Sequence, residues 1–187
     1  MKQNWSIDEI QAAWKLASKL HYGQKYAGSN EGEQFEYLNH IGGVTFEILY
    51  AIGQKEAIDA DLAIKCAILH DTIEDTELKY DAVKNEFGKA VADGVLALTK
   101  NEKLESKAAM MSDSLQRIKG QPKAVWAVKL ADRIINLSPP PFHWTTEKRL
   151  KYFEEAKLIH RELKDGNAYL ANRLLMKIEN YNIYIVS

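Results

Sequence analysis

The sequence has little of what stabilises secreted or membrane-embedded proteins. Of its 187 residues only Cys66 is a cysteine, so no disulfide can form within the chain and a reducing compartment is expected. No apolar run approaches the ~20 residues that cross a bilayer, and the segment that begins at Met1 lacks the apolar core of a signal peptide. We therefore expect a cytoplasmic protein that binds no membrane.

The chain also has no large excess of positive or negative charge. The chain has 25 Lys and Arg against 26 Asp and Glu, a net charge of −1, so nothing attracts nucleic acid globally and an anionic ligand needs local cations. A hydrophobic content of 46% with 27% charged residues is typical of a globular chain. We predict that residues 1–187 form a single domain with a substantial core.

Helical patterns dominate what is present, because apolar residues recur at helical spacing between Gly and Pro boundaries. The predicted helices are Ser6–Leu20, Tyr37–Ile52, Asp61–Asp75, Tyr80–Phe87, Lys89–Leu98, Glu105–Lys119, Ala124–Leu137, Thr145–Leu163 and Ala168–Tyr181. The polar stretch Gly23–Glu36 is predicted to be a long functional loop. Only the tail Ile183–Val186 has a strand-like pattern. The sequence thus predicts an all-α bundle of roughly eight to ten helices.

One segment combines reactive side chains with a buried approach. The apolar run Cys66–Leu69 leads directly to His70, Asp71, Glu74 and Asp75. On a continuous helix Glu74 would lie beside both His70 and Asp71. Such a cluster repels itself unless a cation or protons neutralise it, and imidazole with carboxylate suits Mn, Fe or Zn. The segment favours a divalent-metal hydrolase site over the alternative, a solvated acidic helix end.

Two distant segments are candidates to complete the metal shell. His40 opens an apolar helix, where a lone histidine is more often a hydrogen-bonded core residue. Asp132 and Asn136 are four residues apart on another apolar helix, and a buried carboxylate needs a partner. An ion pair of Asp132 with Lys129 or Arg133 is the structural alternative to a metal. From the residues alone, both interpretations stay open at both segments.

Taken together, these segments resemble a known family. The order His40, His70-Asp71, Asp132 is similar to the H…HD…D pattern of the HD-domain metal phosphohydrolases. Three more elements narrow the resemblance to the alarmone hydrolases: Glu74-Asp75, Val128–Leu137 and His21–Gln24. That group comprises the hydrolase domain of the RelA/SpoT proteins and the stand-alone small alarmone hydrolases. The resemblance extends from about Leu16 to Tyr181, nearly the whole chain.

The resemblance implies a metal-dependent 3′-pyrophosphohydrolase. It implies one bound metal, usually manganese, with the ligands His40, His70, Asp71 and Asp132. It also implies that Glu74 and Asp75 orient or deprotonate the attacking water. The implied reaction removes the 3′-pyrophosphate from guanosine tetra- or pentaphosphate and releases pyrophosphate with GDP or GTP. General-base help of this kind contributes ~10²–10⁴-fold to a rate.

A nucleotide-binding surface is implied in the same way. Asn136 would hold the sugar or its phosphate, and the spacing of Trp144, Lys148 and Tyr152 would place them on one helix face beside the nucleotide. The alternative for these three is a core stripe of aromatics and a solvated lysine. Lys25-Tyr26 stands where relatives carry a basic pair that grips the base. Since an aromatic ring stacks on any base, we expect adenosine analogues to be accepted as well as guanosine.

Two other functions stay open at this point. One is an HD phosphomonoesterase that acts on an ordinary nucleotide or NADPH, and the other is a non-catalytic module that senses a nucleotide. Glu74, Asp75 and Asn136 favour the pyrophosphohydrolase, because a simple nucleotidase need not carry them in this arrangement. The expected partner is a small-molecule nucleotide and not a nucleic acid, and the chain is predicted to be a monomer or a homodimer.

Overall fold

Helices make up most of the residues that this computed structural model describes, which are 5–54 and 57–185. They are α1 (Ile7–Leu20), α2 (Tyr37–Ile52), α3 (Ala60–Leu69), α4 (Thr72–Asp75), α5 (Tyr80–Phe87), α6 (Lys89–Leu98), α7 (Lys107–Lys119), α8 (Lys123–Asn136), α9 (Thr146–Leu163) and α10 (Ala168–Tyr181). Short 3-10 turns follow α9 and α10, and strands β1 (Lys25–Ala27) and β2 (Gln34–Glu36) lie between α1 and α2. The predicted all-α class is confirmed.

Short polar side chains define where several helices begin. The hydroxyl of Ser106 accepts a hydrogen bond from the third residue of α7, and the Asn167 side chain does the same for α10. Between α5 and α6 the chain turns at Gly88, whose φ of +86° is accessible to glycine at little cost. These signals are local, which is why most helix bounds agree with the sequence prediction to within two residues.

The core lies around α3 and α8. Every residue of α3 from Leu62 to Leu69 is buried, and so is almost all of α8 from Ala124 to Ile134. Helix α8 packs against α2, α3, α9 and α10, so it lies at the centre of the bundle. A polar side chain on the inner part of α8, such as Asp132, therefore lies inside the protein and needs polar partners there.

The segment Gly23–Glu36 differs from its prediction as a long loop. β1 and β2 form an antiparallel hairpin in which Tyr26 faces Phe35, and their ring centres are 5.6 Å apart. Each strand has three residues, which is too short for the alternation over four to eight residues that marks a strand in sequence. The hairpin is also held from outside, because the carbonyl of Gly28 accepts a hydrogen bond from the Phe142 amide at 3.2 Å.

The predicted continuous helix Asp61–Asp75 is wrong. Helix α3 ends at Leu69 and α4 begins at Thr72, with His70 and Asp71 in the turn between them. The Thr72 hydroxyl donates to the Leu69 carbonyl at 2.7 Å, a local bond that competes with continuation of the helix. Because of this break, helical spacing no longer determines which residues are neighbours of His70.

The end of the described chain also differs from the prediction. Residues Asn182–Tyr184 form a 3-10 turn rather than part of a strand, and Val186 lies outside the described residues. Among the helices of the described ranges, none combines the length and the apolar character that a bilayer crossing requires.

Candidate active site

Residues from three helical regions converge at one point in the core. His40 lies on α2, His70 and Asp71 lie in the turn after α3, and Asp132 lies on α8. One ligand atom each of His40, His70 and Asp132 lies within 4.8 Å of the others. The Oδ2 atom of Asp71 is 2.9 Å from His70 Nε2 and 3.5 Å from His40 Nε2. The structure thus brings together all four residues that were predicted as metal ligands.

The spacing of these atoms matches that of ligands around one divalent ion. His40 Nε2 is 3.2 Å from His70 Nε2 and 3.6 Å from Asp132 Oδ1. Ligands at roughly 2.1 Å from an octahedral ion are separated by roughly 3.0 Å at right angles. Two imidazole nitrogens and two carboxylates form a mixed set that suits Mn, Fe or Zn. The residues present therefore fit a divalent metal.

Outer hydrogen bonds orient these groups toward that point. His70 Nδ1 donates to the carbonyl of Ala67 at 2.8 Å, so its Nε2 atom faces the cluster. Asp132 accepts hydrogen bonds from Lys129 Nζ at 2.9 Å and from Asn136 Nδ2 at 2.5 Å. Asp132 thus forms the ion pair with Lys129 that was considered above as an alternative to metal binding. It also lies beside the two histidines.

Tyr37 belongs to the site, although the sequence analysis did not select it. Its hydroxyl donates to Asp71 Oδ2 at 2.6 Å. Burial, together with the charge of Asp71, raises the pKa of Tyr37 far above its usual value, so the phenol keeps its proton and acts as a donor. The available signal was position, since Tyr37 is the first residue of α2 and lies three residues, about one helical turn, before His40.

The charged groups of the cluster shift one another's pKa values. Burial lowers the pKa of His70, but the charge of Asp71 and the hydrogen bond that His70 donates to its carboxylate outweigh burial and raise that pKa to about 9. Burial would raise the pKa of Asp71, yet His70 and His40 hold it well below its usual range. For Asp132, the ammonium of Lys129 likewise outweighs burial and lowers the pKa. Without metal, the cluster at neutral pH pairs an imidazolium with two carboxylates.

His70 gives the metal-free protein a testable pH dependence. Folding raises its pKa from 6.5 to about 9, so the folded chain holds a proton that the unfolded chain has released in that interval. The stability that protonated His70 contributes is fully present below pH 6.5 and is lost as the pH rises through about 9. We expect urea midpoints of the metal-free protein, followed by circular dichroism, to fall over this interval. His70→Asn should lack the fall, and an equal fall in that variant would assign it to another group.

The two predicted catalytic carboxylates have different surroundings. Glu74 accepts hydrogen bonds from the Lys100 amide at 2.8 Å and from Lys100 Nζ at 2.5 Å. Burial raises the pKa of Asp75, and the charges of Asp71 and Glu74 raise it further. Glu74 is therefore held as the partner of a lysine, while Asp75 is disposed to take up a proton.

A cavity of about 620 Å³ opens over the cluster. This volume is within the ~300–1,000 Å³ of small-molecule sites. Four of the predicted substrate-binding residues line it: Tyr26, Asn136, Trp144 and Tyr152. Its walls also carry the carboxylates of Glu74 and Asp75 and the cations of Lys100 and Arg133. The histidine–aspartate cluster, the acidic residues and the aromatic rings thus line one cavity.

Two predicted substrate-binding lysines lie outside the lining of this cavity. Lys25 pairs with Glu36 across the hairpin at 3.3 Å. Lys148 Nζ lies 4.4 Å from the ring centre of Trp144. Trp144 itself precedes α9 rather than lying on it, yet its ring is 4.9 Å from that of Tyr152. The three residues expected on one helix face are therefore in contact through Trp144, which meets both Lys148 and Tyr152.

Arg133 is a further cavity residue that sequence reasoning treated only as an ion-pair partner. Its guanidinium lies 4.3 Å from the ring centre of Tyr152, and its Nη2 is 3.5 Å from Glu155. The side chain is buried, although α8 as a whole gave no sign that two successive polar residues would point inward. Arg133 thus supports the wall that Tyr152 presents to the cavity.

A buried cluster of two histidines and two aspartates on a helical bundle defines a class of metal-dependent enzymes. The sequence matches the HD domain over residues 13–176, and the chain belongs to the HD-domain family. It is 30% identical over 163 residues to guanosine-3′,5′-bis(diphosphate) 3′-pyrophosphohydrolase MESH1 of Danio rerio, covering 85% of this chain and 86% of the relative. The MESH1 protein of Homo sapiens is 28% identical over 173 residues, covering 89% and 90%.

A solved structure gives the same fold. It is described as a metazoan ortholog of SpoT that hydrolyses ppGpp, and it superposes with a TM-score of 0.78 at 24% identity, covering 95% of this chain and 98% of the other. A longer relative, the guanosine-3′,5′-bis(diphosphate) 3′-pyrophosphohydrolase of Aquifex aeolicus, is 31% identical over 169 residues, which is 89% of this chain and 22% of that protein. The fold of this family therefore extends over nearly the whole chain.

Proposed function

We propose that this chain is a metal-dependent hydrolase that removes the 3′-pyrophosphate from guanosine tetra- and pentaphosphate and leaves GDP or GTP. The observation that carries the proposal is the convergence of His40, His70, Asp71 and Asp132 in a cavity that also contains Glu74 and Asp75. The names of the relatives at about 30% identity supply the substrate. We assign their activity to this chain as a hypothesis, which the set of metal-binding side chains and the cavity support.

Manganese is the metal we propose, with one ion per chain. The mixed nitrogen and oxygen donor set supports it, because magnesium and calcium favour all-oxygen shells. A divalent ion bound there would lower the pKa of a coordinated water and offset phosphate charge. His40, His70, Asp71 and Asp132 would hold it, and the tautomer of His70 is already set for this by Ala67.

Glu74 and Asp75 are the groups that we propose to move the proton. Each lies in the wall of the cavity that opens over the cluster. Lys100 keeps the Glu74 carboxylate in place through two hydrogen bonds, and Asp75 has a pKa raised by burial. Lys100 also contributes positive charge, which an anionic substrate needs because the chain as a whole carries a net charge of −1.

The decisive experiment is product analysis. The purified chain is incubated with guanosine 3′,5′-bis(diphosphate) in the presence of Mn²⁺ or of a chelator, and products are resolved by anion exchange. We expect pyrophosphate and GDP with Mn²⁺ and no reaction with chelator. Release of orthophosphate alone would contradict the proposal and favour the phosphomonoesterase, and turnover with chelator present would contradict the role of the metal.

The domain organisation, cellular location and partners that we propose agree with this activity. Residues 1–187 would work as one domain on a small nucleotide in the cytoplasm, without nucleic acid. Monomer and homodimer are both compatible with this interpretation, because all the proposed metal ligands and acidic residues come from one chain. Light scattering of the purified protein would establish its oligomeric state.

Base selectivity is expected to be weak. Tyr26 lines the cavity, and its hydroxyl accepts a hydrogen bond from Asn39 at 2.5 Å, so its ring is held as a flat stacking surface. Stacking contributes ~1–3 kcal/mol and tolerates any base. We predict kcat/KM values for guanosine and adenosine 3′-pyrophosphates within roughly tenfold, or about 1.4 kcal/mol, of each other.

Two variants at Tyr26 test the origin of this tolerance. Tyr26→Ala should weaken both substrates together, because both lose the same stacking surface. Tyr26→Phe is the matched control: it keeps the ring, loses only the bond from Asn39, and should retain most of kcat/KM. A guanosine preference above ~100-fold would contradict the prediction, since hydrogen-bonded readout of a base edge, and not stacking, gives discrimination of that size.

A further inference from the structure

Asp71 differs from the proposed ligands Asp132 and His70 in that another helix supplies its orienting hydrogen bond. Asp132 is held by Lys129 and Asn136 from its own helix, and His70 by the carbonyl of Ala67 one turn earlier. Asp71 lies instead in the turn between α3 and α4 and makes no capping bond with its side chain. Its hydrogen bond comes from Tyr37 on α2, at 2.6 Å.

The bond from Tyr37 reaches the oxygen that faces the cluster. Asp71 Oδ2 accepts the phenolic hydrogen and is also the atom that lies 2.9 Å from His70 Nε2. A carboxylate oxygen has two lone pairs, so one can accept from Tyr37 while the other stays directed at the metal position. The hydrogen bond from Tyr37 therefore determines which lone pair of Asp71 Oδ2 is left to bind the metal.

Tyr37 is itself held by the His21–Gln24 turn, a family element with no role in the chemistry above. The ring of His21 is stacked on that of Tyr37 at 4.9 Å and 26°, and the backbone amide of Tyr37 donates to the Gln24 carbonyl at 2.8 Å. Gln24 Oε1 lies 2.6 Å from His21 Nδ1, and because an amide oxygen only accepts, His21 donates. The turn itself passes through Gly23, whose φ is +76°.

His21 has a feature that a purely structural residue rarely has. It is only 1% exposed, and its Nε2 has no hydrogen-bond partner among the residues described. An unpaired buried nitrogen lowers stability, and an apolar ring would fill the same space without that loss. This suggests that the position is used for something beyond packing, and the residue against which His21 stacks is Tyr37.

We propose that Tyr37 is a positioning residue for the metal ligand Asp71, and that His21 and Gln24 act on the site by fixing Tyr37. The inference rests on the proposed metal site but not on the proposed substrate. Loss of a hydrogen bond to a metal ligand typically weakens metal affinity by ~10–100-fold. Tyr37→Phe removes only the hydroxyl, so it should weaken Mn²⁺ binding by roughly that factor while the metal-free fold is unchanged.

The test measures Mn²⁺ affinity by titration calorimetry and thermal unfolding with and without the ion. Tyr80→Phe is the matched control, because the Tyr80 hydroxyl donates to Asp93 at 2.8 Å outside the cavity, and it should bind Mn²⁺ as the unaltered chain does. Unchanged Mn²⁺ affinity in Tyr37→Phe would overturn the inference. A metal-free melting temperature that falls enough to account for the lost affinity would overturn it too.

A double-mutant cycle tests the contribution of His21. His21→Ala should weaken Mn²⁺ binding in the unaltered chain but add little in the Tyr37→Phe background, because its effect passes through that hydroxyl. His21→Phe keeps a stacked ring but loses the bond to Gln24, so its Mn²⁺ affinity should lie between those of the unaltered chain and His21→Ala. Additive losses would overturn the link between His21 and Tyr37. If the unaltered chain bound no Mn²⁺, the metal proposal itself would fail, a result distinct from these.

Discussion

Replacement of Asp132 by asparagine is expected to remove Mn²⁺ binding and to lower turnover by roughly three orders of magnitude, about 4 kcal/mol of transition-state stabilisation. The amide oxygen is neutral and a weak ligand, and it is the only acceptor where the carboxylate now accepts from both Lys129 and Asn136, so one of these two donors loses its partner. Alanine is the poorer choice, because a buried lysine left without a partner costs about 3–5 kcal/mol of stability. Titration calorimetry with Mn²⁺ and single-turnover rates measure the two effects.

A matched control separates the lost metal from the lost ion pair. Asp61 pairs with the buried Lys65 at 2.6 Å on α3, away from the cavity. Asp61→Asn therefore removes an aspartate–lysine pair outside the cavity, although Lys65 keeps Glu9 as a partner, and it should leave Mn²⁺ affinity unchanged. If Asp132→Asn lost stability and metal affinity only to the extent that Asp61→Asn does, Asp132 would be a structural residue, as the ion-pair interpretation holds.

Helix positions could be predicted because their signals are local and repeated. Apolar spacing and boundary residues gave the bounds of α5, α6 and α10, and they hold in the structure. The break at His70 could not be predicted, because the residues on both sides are compatible with a helix and a single hydroxyl bond from Thr72 favours the turn. The short hairpin depends on contacts with distant residues such as Phe142, which no local pattern contains.

In the candidate site, too, some residues could be predicted from the sequence and others could not. His40 and Asp132 were ambiguous by themselves, and only the joint pattern with His70-Asp71 indicated a shared centre, which the geometry now supports. Tyr37 was missed because a tyrosine at a helix start has no distinctive chemistry until the position of Asp71 is known. The role of Lys100 could not be predicted for a similar reason, since its contact with Glu74 spans 26 positions of the chain.

Glu74 provides the second large expected effect. Glu74→Gln keeps the shape of the side chain and removes its charge, so the variant should bind Mn²⁺ and nucleotide but turn over ~10²-fold or more slowly. The Oε1 and Oε2 atoms of Glu74 both accept from Lys100, at 2.5 and 2.8 Å. The substitution therefore also weakens an ion pair, and that loss has to be distinguished from the loss of a base.

Glu162→Gln is the matched control, because Glu162 also pairs with a lysine, Lys119, on the surface outside the cavity lining. Surface pairs of this kind contribute about 0–1 kcal/mol, so this variant should keep the turnover and the melting temperature of the unaltered chain. For Glu74→Gln the prediction is a lower kcat at unchanged Mn²⁺ affinity. Normal turnover would remove Glu74 from the mechanism, whereas a parallel loss of metal would make it a ligand. Because Asp75 remains in the same cavity with a raised pKa, residual activity with a shifted pH profile would identify Asp75 as the group that takes over the proton.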